Sequence, residues 1–253
     1  MDCALTANNM TTLLYIILGT TIVSLGSLVG VVTLGMNQKF LDRILLGMIG
    51  LSSGALLGVA FIHMIPEGIK LMDPEKFCLI ILITIIVYLI VEKLLHWHHC
   101  HTCGNDHKHT LGYMNLVGDS VHNFIDGLVI ASAFIVSPAL GLSTIVAIAM
   151  HEIPQEIGDF GVLLYSGFTK RRAIFFNLMV SATAILGGIV GWAVSSRTDQ
   201  LNLYLIPIAV GGFIYIALSD IVPELRKEDS IKNFFGGLIL LVGGIIMMFF
   251  LRD

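Results

Sequence analysis

Eight stretches of this chain, at about 13 to 34, 44 to 64, 77 to 96, 111 to 135, 139 to 166, 173 to 195, 203 to 223 and 233 to 251, are nearly free of charge. Each is close to the ~20 residues that a helix needs to cross the hydrocarbon core of a bilayer. In lipid a spanning segment must satisfy its own backbone hydrogen bonds, which leaves only helices and closed barrels. Runs of this length mean helices. The expected fold class is therefore all-α integral membrane, with eight transmembrane helices embedded in a lipid bilayer. Composition agrees, since 56% of the residues are hydrophobic and 13% charged, against roughly 25% charged in a soluble domain. The connections are short, so a single membrane domain over residues 1 to 253 is expected. A net charge of −4 is too small to imply a charged partner, and nothing in the chain suggests nucleic acid.

The first apolar run has only Asp2 before it and Lys39 after it. It lacks the basic start and small-residue cleavage site of a secretory signal, and it is expected to stay as a helix. With the N-terminus outside, ten Lys and Arg residues fall on inner loops and four (Lys70, Lys76, Arg197, Arg252) on outer ones. This asymmetry places both termini outside a plasma or inner membrane. Cys100 and Cys103 then face the reducing cytoplasm, where thiols bind metal more often than they pair.

The chain also repeats itself. "AFIHMIPE" at 60 to 67 matches "ALSDIVPE" at 217 to 224 at Ala, Pro and Glu, with His63 or Asp220 at the fourth place. These octapeptides end the second and seventh spans, which run in opposite directions. Spans 1 to 3 and 6 to 8 are thus expected to form an inverted repeat around spans 4 and 5, an arrangement typical of transporters. A Pro-terminated helix end is the plainer reading of the same residues.

Spans 4 and 5 carry the chemistry. They read "GDSVHNFIDGLVIASAF" and "AIAMHEIPQEIGDFGVLL", and they put Asp119, His122, Asn123, Asp126, His151, Glu152, Gln155, Glu156 and Asp159 at membrane depth. At about 2.5 to 3.5 kcal/mol per central carboxylate, five such groups cost on the order of ten kcal/mol before compensation. No Lys or Arg lies between residues 109 and 169 to neutralise them. A bound cation can. His122 and Asp126 are four apart, as are His151 and Gln155, and Glu152 and Glu156, so each pair shares a helix face. Facing spans would gather His122, Asp126, His151 and Gln155 into one cage, with Asn123 and Glu152 about 100° further round serving a neighbouring position. Glu156 and Asp159 continue an acidic path inward. Pro154 removes the N–H that the Met150 carbonyl would accept, and a kink there is expected to leave that oxygen free beside the path. Gly127, Gly158 and Gly161 would allow close helix contact. His63 fits either a metal ligand or a hydrogen-bonded core histidine, and Asp119 either a ligand or an acceptor for Ser120 or a neighbouring helix.

A second metal-binding pattern is "HWHHCHTCGNDHKH", residues 96 to 109, with six His and two Cys in fourteen positions. Its imidazoles and thiolates suit Zn²⁺. The loop, about 96 to 110, is either a cytoplasmic acceptor or sensor of metal or a solvated polar connection.

With these residues named, the chain resembles the ZIP (Zrt/Irt-like protein) family of divalent metal transporters. The resemblance rests on "HNFIDG" followed by "HEIPQEIGDFGVLL", with "HMIPE" in span 2 and "GGFIYIALSDIVPEL" in span 7. It implies uptake of Zn²⁺, with Fe²⁺, Mn²⁺ or Cd²⁺ as further cargo, by a homodimer without prosthetic group. It also implies that His122, Asp126 and His151 are primary ligands and that Asn123 and Glu152 belong to an adjacent site. Two positions depart from the family pattern: Gln155 stands where many relatives carry His or Glu, and span 6 lacks an acid.

The function expected is secondary transport into the cytoplasm, entering near His63 and Glu67 and leaving toward Asp220, Glu224 and the His-rich loop. No ATP-binding motif is present, so the driving force would be a gradient. The competing reading is an intramembrane zinc-dependent hydrolase or protease, which H-E-x-x-H on a membrane helix would suggest. Here Gln155 occupies the place of the second His, and no enzymatic activity is expected.

Overall fold

The computed structural model describes residues 2–33, 37–99, 107–195, 199–221, 223 and 230–251. Among the described residues every regular element is helical and there is no strand. The order is α1 (Asp2–Leu25), α2 (Val29–Thr33), α3 (Gln38–Gly58), α4 (Ile65–Leu71), α5 (Pro74–His99), α6 (His107–Val136), α7 (Pro138–Tyr165), α8 (Lys170–Ser181), α9 (Thr183–Ser195), α10 (Asp199–Ile216) and α11 (Ile231–Phe250). A 3₁₀ turn, Gly26–Leu28, joins α1 to α2.

Among the described residues, six helical segments are long and apolar enough to cross a membrane: Met10–Thr33, Gly47–Leu71, Pro74–Val91, Gly112–Val136, Lys170–Ser195 and Ile231–Phe250. Two further helices occupy the remaining apolar runs. Leu203–Ser219 is apolar but shorter. α7 has 28 residues, about 42 Å of helix, and its acids Glu152, Glu156 and Asp159 lower its hydropathy.

Local chemistry sets the boundaries that matter for the site. Ser137 is extended, as a residue before proline must be, and its Oγ accepts from the Leu140 N–H at 3.1 Å. This cap turns the chain sharply from α6 into α7. Gly167, at φ 89°, closes α7 in the left-handed conformation that costs glycine least. Thr169 then caps α8 through the Arg172 N–H. α7 continues through Pro154 without interruption.

Both copies of the repeated octapeptide fall where the helix widens to π geometry, at Val59–Met64 and at Ala217–Ile221. Proline supplies the reason. Pro66 and Pro223 lack an N–H and push on the carbonyl one turn earlier, and a wider ladder relieves that contact.

The helices pack in backbone contact through glycine. A methyl group at Gly127 of α6 would strike the Ala184 carbonyl of α9, and one at Gly187 would strike the Phe124 carbonyl. Gly54 of α3 stands in the same relation to the Leu241 carbonyl of α11. On α10, a methyl at Gly211 would lie 2.7 Å from Thr84 Cβ of α5. Gly158 and Gly161 of α7 behave otherwise than the sequence suggests, because both face open space. Leu56, Val59, Ile130, Ile148, Val210 and Phe213 form the dry centre, whereas Leu82, Ile86, Leu89 and Ile239 point outward from the bundle.

α5 ends at His99 and α6 begins at His107. Cys100, Cys103 and the rest of 100 to 106 lie outside the described residues, as do Glu224 and the side chain of Asp220.

Candidate metal centre

α6 and α7 pack side by side and bring His122, Asp126, His151 and Glu152 together, one ligand atom from each lying within 4.8 Å of every other. His122 Nε2 is 3.1 Å from Glu152 Oε1, 3.3 Å from His151 Nε2 and 3.8 Å from Asp126 Oδ2. His151 Nε2 is 3.3 Å from Asp126 Oδ2 and 3.6 Å from Glu152 Oε1. A tetrahedral Zn²⁺ with bonds of about 2.0 to 2.1 Å holds its donors about 3.3 Å apart. The five separations scatter around that value.

The backbone prepares one of these nitrogens. His151 Nδ1 lies 3.3 Å from the Ala147 carbonyl, which can only accept, so the ring proton sits on Nδ1 and the Nε2 lone pair faces the cluster. The edge of Phe213 on α10, with ring centroids 6.3 Å apart, closes another side of the imidazole. Asp126, His151 and Glu152 are buried and His122 is half-buried.

The surplus of acceptors is the main electrostatic feature. Asp126 Oδ2 and both Glu152 oxygens are buried and accept no hydrogen bond from the described residues, and the same holds for Asp119 Oδ2, Asn123 Oδ1, Glu156 Oε1 and Asp159 Oδ2. Buried carboxylate oxygens without donors are costly. Donors in short supply and acceptors in excess make a region that a cation completes.

The residues divide differently from the expected cage. Glu152, assigned with Asn123 to a neighbouring position, joins the two histidines, because its longer side chain spans the helix contact to His122. Gln155 turns away, and its Nε2 donates to Asp119 Oδ1 at 3.4 Å. Asn123 Nδ2 donates to the same oxygen at 2.9 Å. An amide N–H₂ seeks a free carboxylate, and Asp119 offers the one within reach. Asp119 is thus an acceptor for a neighbouring helix, one of the readings its sequence position allowed, while Ser120 donates instead to the Leu116 carbonyl.

Glu156 points elsewhere. Its Oε2 accepts from Asn177 Nδ2 of α8, whose amide also reaches the Ser27 carbonyl at 3.5 Å. Asp159 Oδ1 accepts from Asn115 Nδ2 of α6 at 3.1 Å. Asn177 and Asn115 are the polar partners that sequence reasoning passed over. A single Asn in the apolar run "FFNLMVS" was the available signal for the first. His63 is remote from the cluster: its Nε2 contacts the Met248 carbonyl of α11 at 2.7 Å. Glu67 is taken up by Lys70 at 2.7 Å.

A cavity of about 710 Å³ reaches the cluster from one end of the bundle, lined by His122, His151, Asp119 and Gln155 and continuing to Asn115 and Asp159. A second cleft, about 320 Å³, lies at the other end of α7 among His63, Glu67, Lys70, Ser137 and Leu140. The two share no lining residue.

Comparison with known proteins bears on the same segment. A family model described as ZIP zinc transporter matches residues 98–252, which include α6 and α7. Zinc transporter ZIP13 of Pongo abelii is 31% identical over 218 residues, covering 79% of this chain and 65% of its own length. Zinc transporter ZIP10 of Homo sapiens is 38% identical over 147 residues, 53% of this chain and 18% of its own. The ZIP13 homolog of Drosophila melanogaster is 39% identical over 144 residues, 56% of this chain and 41% of its own. The chain therefore spans less than two thirds of each of these relatives. The match of the family model over more than half of the sequence establishes that this chain belongs to the ZIP zinc transporter family.

Proposed function

We propose that the chain is a secondary transporter that carries divalent metal cations, Zn²⁺ foremost and Fe²⁺, Mn²⁺ or Cd²⁺ as further cargo, into the cytoplasm through His122, Asp126, His151 and Glu152. The observation that carries this reading is the spacing of those four donors, which matches a tetrahedral dication in a stretch of chain without Lys or Arg. The zinc-hydrolase alternative draws no support. A hydrolytic zinc keeps an open position and a free general base, whereas Glu152 turns into the cluster and the family is one of transporters.

Eight spans follow if α7 and α10 are counted with the six apolar helices, the long acidic α7 crossing because its charges face inward. The inverted repeat is supported by the shared π segments and by the packing pattern. Exchanging spans 1, 2, 3 and 4 with 6, 7, 8 and 5 turns the contact of α3 with α11 into that of α10 with α5. It likewise turns α6 with α9 into α7 with α1, and α3 with α7 into α10 with α6, all of which occur. Both termini lie outside in this reading, from the Lys and Arg asymmetry, and the resemblance adds a homodimer in a plasma or inner membrane.

The contacts also group the helices. α1, α6, α7, α8 and α9 pack on one another, and α3 packs on α11 as α5 does on α10. All four ligands ride on the first group. In this mechanism that group shifts against the second, so that the site meets the His63 cleft in one state and the Asn115–Asp159 cavity in the other. Metal leaves past Asp119 and Asp159. A concentration or electrical gradient drives it.

The test is flux of Zn²⁺ into vesicles holding the purified protein and an internal dye. Uptake in the wild type that disappears in His122→Ala and His151→Ala supports transport. Equal dye signal from wild type, both variants and empty vesicles overturns it.

A further inference from the structure

The cavity that reaches the metal cluster has two unlike walls. Asp119, Gln155 and Asp159, from α6 and α7, make one of them polar, whereas Ile49, Val91 and Ile216, from α3, α5 and α10, make the other apolar. Water along the polar wall finds partners. Along the apolar wall it finds none, and such a surface is covered at a gain wherever hydrocarbon is at hand. The volume, about 710 Å³, far exceeds the ~30 Å³ of one water molecule and lies within the roughly 300 to 1,000 Å³ of sites that take a ligand of drug size.

Hydrocarbon is at hand. Tyr113, Val117 and Val121 follow one another at four-residue spacing and so form a stripe along α6, 57%, 65% and 56% exposed. Val117 and Val121 line the cavity as well. Val91, 48% exposed, does the same from α5. Residues that face outward and also line a cavity stand at its mouth. α5 packs on α10 and α4, and α6 on α7, α9 and α10, but among the described residues α5 and α6 do not pack on each other. Val121 lies about 13 Å along the apolar span that begins at Gly112, near the middle of a hydrocarbon core about 30 Å thick. The mouth between α5 and α6 therefore opens sideways, toward lipid.

We propose that this gap admits one acyl chain of a phospholipid from the leaflet at the end of the bundle where α5 stops and α6 starts, and that the chain lies in the cavity against Val91, Ile125 and Tyr215. The occupant is argued from continuity. The apolar wall prolongs the bilayer-facing surface of α5 and α6 through the mouth, so the molecule that covers the outside is the one that covers the inside. A seated chain leaves the polar wall to water and confines a hydrated ion to the side of Asp119 and Asp159. The lipid site stands whether or not the chain carries metal.

The test uses the full chain in phosphatidylcholine vesicles, with part of the phospholipid carrying a photoreactive diazirine midway along one acyl chain. After illumination, digestion and mass spectrometry locate the labelled residues. Leu82, Ile86 and Ile239 point outward and take label from any surrounding lipid, so they serve as the internal reference. Label at Ile125 and Tyr215, inside the cavity, is expected in the wild type. Val121→Trp, which puts a larger side chain in the mouth, is expected to lose that label while the reference label stays, and Val117→Trp is expected to do the same. Both substitutions fall on exposed positions, and thermal unfolding checks that the fold is kept. Label confined to outward residues, Val117 and Val121 included, means that the cavity holds water. Label missing at Val117 and Val121 as well means that a second copy of the chain covers the mouth. Either result overturns the proposal, as does interior label that persists equally in both variants. None of these readouts involves metal flux, so the transport reading stands or falls separately.

Discussion

His122 and His151 meet across the α6–α7 contact with their Nε2 atoms 3.3 Å apart and their rings at 89° to each other. Two imidazole nitrogens at that distance suit two corners of a tetrahedral metal site, and the Ala147 carbonyl, by holding the proton of His151 on Nδ1, leaves its Nε2 lone pair turned toward the cluster. Replacing either ring removes a quarter of the donor set. His122→Ala and His151→Ala are each expected to weaken Zn²⁺ binding by at least about a hundredfold, beyond the effect of losing an outer partner. Isothermal titration in detergent measures this.

Metal and proton compete for the same lone pairs. A histidine must be neutral to bind, so a proton taken up by either ligating ring removes one donor from the site. The sign is therefore fixed: Zn²⁺ binding at low metal concentration weakens as pH falls from 7 to 5.5. Titrations at three pH values in that range check it, and tighter binding in acid would contradict it.

The glycine contacts make a stability prediction with an internal control. Gly127→Val drives a side chain into the α9 backbone at Ala184 and is expected to cost about 1 to 3 kcal/mol or more. Gly158→Ala enters open space and should gain up to about 1 kcal/mol from helix propensity. Thermal unfolding of the two variants in the same detergent should separate in opposite directions from the wild type.

Asn177 gives Glu156 its hydrogen-bond donor, and both side chains are buried. Asn177→Ala removes that donor and is expected to destabilise by about 1 to 3 kcal/mol, whereas the pair Glu156→Leu with Asn177→Leu removes both polar partners and recovers much of the loss. Urea or thermal unfolding of the single and double variants decides this. A double variant less stable than the single would show that the polar pair itself holds α7 to α8.

The helices and the acidic centre are legible in the sequence for a simple reason. Apolar length fixes a span, and four-residue spacing fixes which side chains share a face. That is why His122 with Asp126, and His151 on the facing helix, come together as the spacing suggests. The exchange of Glu152 for Gln155 in the cluster is not legible from spacing, because it depends on side-chain reach and on Asp119 competing for the amide. The role of Asn177 depends on which helix lies behind α7, a question of packing between residues 21 apart in sequence. Gly127 and Gly158 look alike in the sequence and differ only in what stands opposite them. The π segments at Val59–Met64 and Ala217–Ile221 were foreshadowed by the proline that follows each, though the sequence alone does not distinguish a helix end from a widened turn.

The most direct measurement is anomalous X-ray scattering from crystals of the protein soaked in Cd²⁺ or Zn²⁺. The account predicts a single strong peak between α6 and α7, within bonding distance of His122 Nε2, His151 Nε2, Asp126 and Glu152. Ordered metal elsewhere in the bundle with these four side chains turned apart, or no peak between the helices at saturating metal, would contradict it.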